Sequence, residues 1–405
     1  MIPRIFLKSG ALGLSILLLF LTFLQLFSLN YPGLSNNRLV NVLRNHDVNY
    51  NYRLAWSFYN SDDYKSAGLF FANSIVSNPL FSISFVDLSE INLEEDNYDN
   101  VDILLNRSYE LTPKSFKLLW RMSIISLWID NNDLALNILT SISKVDNNKV
   151  FDVAWRVFDD NDLIMNNLVN NKNIGNYLDF LIRKNKIEES FIVWDKIKKQ
   201  ELYDNKLSDK YMTFLIRNNK IAEAMDIWKD NYGELSEDSL VWNGGFEKKP
   251  VGTGFGWKID QSDSVFIGYD WEEKKEGSYS LHIIFNGKEN VDFRNVSKVI
   301  PVEANSYYNF SSYIKTRDVT TTNGIFWQIQ CFPDRKLLSS KTKILNGTND
   351  WEKIEQELFI PEGCGAIQLV LRRNKSNKLN KLISGNVWID DVKIVTIDKN
   401  EENRS

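Results

Sequence analysis

Catalysis by an acid, a base or a nucleophile needs particular side chains at particular spacings, and this sequence has few of them. It holds two histidines, His46 and His282, and two cysteines, Cys331 and Cys364. It contains no G-x-S-x-G, no H-E-x-x-H and no phosphate-binding glycine loop. A Cys/His zinc cluster lacks ligands, and a histidine-based triad lacks material. The carboxylate pairs Glu272-Glu273 and Asp390-Asp391 could do glycosidase work only across a cleft of about 5–10 Å. Adjacent residues on a strand point to opposite faces, so neither pair qualifies by itself. The reading is a protein that is not an enzyme. A glycan-modifying enzyme is the alternative, and it requires two carboxylates facing each other.

Side chains suited to holding a ligand are more evident. In Ile325-Phe-Trp-Gln-Ile-Gln-Cys331, alternation puts Ile325, Trp327, Ile329 and Cys331 on one face and Phe326, Gln328 and Gln330 on the other. The same alternation turns His282 outward from Leu281, Ile283 and Phe285. It turns Tyr313 outward with Asn309 and Ser311, and Arg372 outward with Gln368 and Val370. A flat ring covers the C–H face of a sugar, and planar amides and guanidinium groups pair with its hydroxyls. The carbohydrate-binding candidates are therefore Phe326, Gln328, Gln330, Tyr313, His282 and Arg372, with Trp271 in an exposed loop. An ordinary solvated β face also carries Gln, Ser and Arg, so both readings stand.

Three kinds of segment must position these residues. Ser9 to Asn37 has no charged side chain, and Ala11–Leu29 is dominated by Leu, Ile and Phe. At 1.5 Å per residue such a run nearly matches a hydrocarbon core of roughly 30 Å. Arg4 and Lys8 precede it, which orients the N-terminus toward the cytoplasm. The expectation is an uncleaved single-pass anchor at 10–30 in the inner membrane, after a cytoplasmic 1–9, with the rest periplasmic or otherwise extracytoplasmic. The two cysteines then sit in an oxidising compartment. A Cys331–Cys364 bridge would close a loop of about 33 residues and contribute roughly 3 kcal/mol. Two separate buried thiols are the other reading.

The region 36–232 reads helical. It is nearly free of Gly and Pro, and apolar residues recur at three and four, as in Phe191, Trp194 and Ile197. Tyr177–Ile187 and Tyr211–Ile221 match at nearly every position with an offset of 34 residues. Pro79 and Pro113 are also 34 apart, as are the polar turns before Tyr64 and Tyr98. This period resembles the tetratricopeptide repeat over about 180 residues. The resemblance implies stacked helical hairpins with a groove for a protein partner. Trp56, Trp120, Trp128, Trp155, Trp194 and Trp228 are expected between helices.

After a polar linker at 233–242, glycine becomes frequent and β-rich runs begin. Runs at 265–271, 280–285, 307–315, 324–332, 352–360, 366–372 and 387–397 read as strands. In order come Asn243-Gly-Gly-Phe-Glu247, Gly254-Phe-Gly-Trp257, Gly277-Ser-Tyr-Ser-Leu-His282, Val299-Ile-Pro-Val302, Gly347-Thr-Asn-Asp-Trp351, Phe359-Ile-Pro361 and Val387-Trp-Ile-Asp-Asp-Val392. This succession resembles the jelly-roll carbohydrate-binding modules of the galactose-binding-like superfamily, over 243–398, with 399–405 as a tail. The resemblance implies an antiparallel β-sandwich. It also implies a structural calcium ion near the first and last strands, on Glu247 and Asp390 or Asp391, with Asp391 the preferred partner; otherwise no cofactor is expected.

The chain is thus expected to be a multidomain α-then-β protein: transmembrane helix, tetratricopeptide-like solenoid, C-terminal sandwich. Net charge is −5, which disfavours nucleic acid as a partner. The expected function is a membrane-anchored envelope protein whose repeats bind a protein and whose sandwich binds a glycan, in polysaccharide export or surface assembly. A purely structural scaffold without sugar binding is the alternative.

Overall fold

The computed structural model describes residues 46–111, 114–234, 238–379 and 381–397. Helices come first: α1 (Val48–Tyr59), α2 (Tyr64–Ser77), α3 (Ser82–Glu94), α4 (Tyr98–Glu110), α5 (Phe116–Trp128), α6 (Asn132–Ile142), α7 (Asn147–Phe158), α8 (Asn161–Asn167), α9 (Ile174–Lys184), α10 (Ile187–Lys199), α11 (Asn205–Arg217) and α12 (Ile221–Tyr232). Ten strands follow: β1 (Lys258–Ile259), β2 (Val265–Asp270), β3 (Ser280–Asn286), β4 (Phe293–Pro301), β5 (Tyr307–Val319), β6 (Phe326–Phe332), β7 (Ser339–Lys341), β8 (Gly347–Phe359), β9 (Ala366–Arg373) and β10 (Ser384–Ile397). A helical repeat region followed by antiparallel sheets is the α-then-β order read from the sequence.

The described residues form two compact units, divided between Phe180 and Leu181. In the first, the turn chemistry explains the repeat. Asp62, Asp96 and Asp130 adopt left-handed backbone conformations with φ of 59°, 56° and 57°. Asp and Asn tolerate that region because their short polar side chains bond locally. One residue on, the N–H of Asp63, Asn97 and Asn131 reaches back to the carbonyl of Phe58, Asn92 and Ser126. That is the six-to-one closure of a helix C-terminus. Asp63 and Asn131 then cap the next helix through their side chains. One short polar run therefore ends a helix and starts its partner.

Trp155 is buried as expected, but Trp128 is 73% exposed. The buried stripe of α5 runs through Leu118, Leu119, Met122, Ile125 and Ser126. Trp128 lies off that stripe, seven residues from Arg121 and on its side of the helix.

In the second unit the same device recurs at Asn185 and Asn219, with φ of 55° and 59°. Two five-stranded sheets follow, ordered β1-β4-β9-β6-β7 and β2-β3-β10-β5-β8. Every pairing is antiparallel. Inward residues of both sheets share one apolar core, for example Leu281, Ile283 and Ile389 with Val296, Trp327, Ile329 and Leu369. The chain crosses repeatedly between sheets, the wiring of a jelly roll. Helices α11 and α12 support the loop at 252–256. Trp228 meets Phe255 edge-on at 5.9 Å and Trp242 at 5.6 Å. A Cβ at Gly254 would lie 2.4 Å from Met212 Cε, at a φ of +54°.

Three strands are absent from the sequence reading: β1, β4 and β7. In β4 the reason is Lys298, a charged residue at a core position, which hides the alternation. A bulge between Phe293 and Val296 breaks it again.

Among the described residues no helix is long and apolar enough to cross a membrane. The expected single-pass inner-membrane placement is corrected on that finding. The expected anchor at 10–30 and the tail from 399 lie outside the described residues.

Candidate functional site

The outer face of the β1-β4-β9-β6-β7 sheet carries a set of ligand-type side chains around an open depression. Strand register builds it row by row. Ser297 lies opposite Val370, Val370 opposite Gln328, and Gln328 opposite Lys341. In the next row Val299, Gln368, Gln330 and Ser339 are neighbours in the same way. Arg372 lies opposite Phe326 one row further on. Strands about 4.8 Å apart make this a grid of polar groups. Ser297, Gln328, Gln330, Ser339, Gln368, Val370 and Arg372, together with Arg294 and Arg335, line an open depression of about 350 Å³.

Inside the depression, Gln330 Nε2 donates to Gln368 Oε1 at 2.9 Å and Gln328 Nε2 to Ser339 Oγ at 3.4 Å. Arg372 donates to Asp292 at 3.1 Å and to Asn374 at 3.1 Å. Arg294 also pairs with Asp292, so one carboxylate serves two guanidinium groups. Arg372 Nε is buried without a hydrogen-bond partner. Burial lowers the Arg372 pKa; Asp292 opposes this, while the charges of Arg294 and Arg335 add to the lowering.

The sequence candidates divide among several places. Gln328, Gln330 and Arg372 come together here. Phe326 lies on the same face but is 2% exposed, with Lys341 Nζ 5.9 Å from its ring centroid. Its ring is covered and offers no stacking platform. His282 and Tyr313 lie on the outer face of the other sheet. His282 stacks on Trp388 at 4.6 Å and meets Asn386 at 3.0 Å. Trp388 donates to Asp270 at 2.8 Å, and Arg317 sits 4.9 Å from its ring centroid. Burial would raise the Asp270 pKa, but Trp388 and two backbone amides hold it low. Lys275 covers Tyr313 at 4.8 Å. Trp271 is 65% exposed just beyond β2.

Arg294, Ser297, Arg335 and Ser339 are members that sequence reasoning missed. Ser297 and Arg294 belong to the unread β4, and Arg335 and Ser339 to the turn and short strand after β6. The usable signal was parity: Gln368 and Arg372 share the outward phase of Gln328 and Gln330.

The carboxylates named for calcium are arranged otherwise. Glu247 Oε1 accepts from the N–H groups of Ser278 at 2.7 Å and Tyr279 at 3.1 Å. Asp390, not Asp391, faces the same turn, accepting from Lys275 at 2.8 Å and Glu276 at 3.1 Å. Asp391 is paired with Lys393 at 2.7 Å. A calcium shell is made of oxygens, whereas these carboxylates meet backbone N–H groups. Glu247 and Asp391 as placed do not fit a calcium ion. Among the described residues no group of three or more acidic, His or Cys side chains could hold a metal. Burial raises the Asp390 pKa against the pull of the three amides bonded to it.

Cys331 and Cys364 form a disulfide, with Cα atoms 5.8 Å apart. Both are buried.

The first unit contains a charged cluster contributed by successive hairpins. Arg121 of α5 pairs with Asp87 at 2.6 Å and Glu90 at 2.7 Å, both on α3. Burial raises the Asp87 pKa against the pull of Arg121. Tyr52 of α1 is pushed up to about 12, by burial first and then by Asp87. The partners are 34 and 31 residues apart, so the repeat period brings them together.

No family model matches the chain, and no curated protein matches it. Among solved structures, the CBM22-1 xylan-binding domain of Paenibacillus barcinonensis Xyn10C is 14% identical with a TM-score of 0.27. That match covers 41% of this chain and 98% of the domain. A family 16 carbohydrate-binding module is 15% identical with a TM-score of 0.28, covering 38% and 99%. The peptide-binding tetratricopeptide protein YrrB is 9% identical with a TM-score of 0.24, covering 46% and 89%. A tailspike domain of bacteriophage CBA120 is 14% identical with a TM-score of 0.28; the match spans 40% of this chain and 22% of the tailspike chain. At these TM-scores the likenesses carry no argument, and the fold class rests on element order and strand pairing.

Proposed function

We propose that the chain is a non-enzymatic binding protein whose sandwich holds a glycan and whose helical repeats hold a protein partner. One observation carries the glycan reading: the open depression whose lining is guanidinium, carboxamide and hydroxyl apart from Val370. Such groups bond the donors and acceptors of a polyhydroxylated chain. The lining residues include no carboxylate, so the depression is equipped for holding a ligand rather than for glycosidic acid–base chemistry. For the repeats, exposed Trp128, two turns along α5 from Arg121, supplies an aromatic anchor of the kind protein partners use.

The test is affinity electrophoresis of the full chain through gels containing single polysaccharides, with Gln330→Ala/Gln368→Ala beside it. Retardation by a polysaccharide that the double variant loses supports the reading. Mobility unchanged in every gel refutes it and leaves the scaffold alternative. A role in polysaccharide export or surface assembly follows if the retarding polymer is the producing cell's own surface polysaccharide.

A further inference from the structure

We infer that the polysaccharide held on the β4-β9-β6-β7 face is acidic, a polymer whose sugars bear carboxylates. This rests on the glycan reading and specifies its ligand. Four cations meet on this face: Arg294, Arg335 and Arg372 around the depression and Lys341 beside Phe326. One carboxylate, Asp292, neutralises part of that charge, shared by Arg294 and Arg372. In the turn after β6, Asp334 accepts from the Lys336 backbone N–H, and the two side chains cancel in charge. The face is therefore cationic on a chain whose net charge is −5.

Geometry separates these cations from ordinary surface charge. Arg372 has a side chain only 19% exposed, and its Nε–H is buried and unpartnered. Asp292 and Asn374 hold its guanidinium in place at the depression, so little freedom is lost when a ligand is bound. Guanidinium groups match planar carboxylates with two parallel hydrogen bonds, which ammonium groups cannot do. The one aromatic ring of this face that the sequence reading offered for stacking, Phe326, is covered. Recognition here rests on charge and amides: arginines for the carboxylates, and Gln328, Gln368, Ser297 and Ser339 for hydroxyls between them, with the buried Gln330 orienting Gln368.

The experiment measures binding of the full chain to polygalacturonate, to neutral xylan and to double-stranded DNA, with Arg335→Gln and Arg372→Gln as variants. Arg335 lies in an exposed turn, so its variant keeps the wild-type melting temperature. We expect polygalacturonate to bind at least about 10-fold more tightly than xylan or DNA, and Arg335→Gln to weaken it about 10-fold, as loss of a charge-assisted bond implies. Raising salt from about 50 to about 300 mM should weaken wild-type binding several-fold. Xylan bound as tightly as polygalacturonate, with Arg335→Gln neutral, would leave the glycan reading standing and overturn the acidic assignment. DNA bound equally well would overturn it in favour of an unspecific polyanion site. Binding to no polysaccharide would refute the glycan reading itself.

Discussion

Replacing Lys298 with Met should stabilise the sandwich, and the gain should depend on pH in a way that identifies its cause. Lys298 lies on β4 opposite Leu369, facing the core, and is 2% exposed. Its Nζ donates to the Phe255 carbonyl. It lies 5.4 Å from the ring centroid of Trp257 and 5.8 Å from that of Trp242. Burial lowers its pKa from 10.5 to about 7. Between those values the unfolded chain holds a proton that the folded chain does not, so stability falls as pH drops from about 10.5 to about 7 and then levels off. At about 1.4 kcal/mol per pH unit the full penalty is about 5 kcal/mol. Met leaves the Phe255 carbonyl without its donor, which costs about 1–3 kcal/mol, so a net gain of about 2–4 kcal/mol is expected for Lys298→Met at pH 7. Urea unfolding followed by tryptophan fluorescence, at intervals from pH 6 to pH 10.5, measures it for wild type and variant. The difference should be largest near pH 7 and fall by about 4 kcal/mol toward pH 10.5. A variant that is less stable at pH 7, or a difference independent of pH, would refute the reasoning.

The other expectations concern separate parts of the molecule. Arg121→Met leaves Asp87 buried without its counter-ion and should cost the helical unit about 3–5 kcal/mol near neutral pH. Asp87 is already raised by burial, so this variant should regain stability as pH falls, and a constant loss between pH 5 and pH 8 would contradict the assignment. EDTA and added calcium should both leave the melting temperature unchanged, because backbone N–H groups already satisfy Glu247 and Asp390; a rise of several degrees with calcium would overturn that account. Cys331→Ala/Cys364→Ala should destabilise the sandwich by about 3–4 kcal/mol through the loop it opens, and denaturant midpoints equal to wild type would reject it.

Sequence alone determined the features that depend on neighbours along the chain. The 34-residue period is a property of short Asp/Asn runs that end one helix and cap the next, and each run acts within a few residues of itself. Alternation in β6 likewise placed Ile325, Trp327 and Ile329 in the core and Gln328 and Gln330 outward, because successive side chains must point to opposite faces. Tertiary structure decided what depends on register between distant strands. Arg294, Arg335 and Arg372 meet only because β4, β9, β6 and β7 pair in that order. Phe326 has the outward phase of Gln328, yet the basic side chain across the sheet covers it. Asp390 rather than Asp391 faces the turn beside Glu247, since Asp390 lies opposite Tyr313 in register and the bulge of β10 begins only after it. Lys298 reads as a surface residue in any local window. It becomes a buried amine only when two indole rings and a carbonyl from other segments close around it.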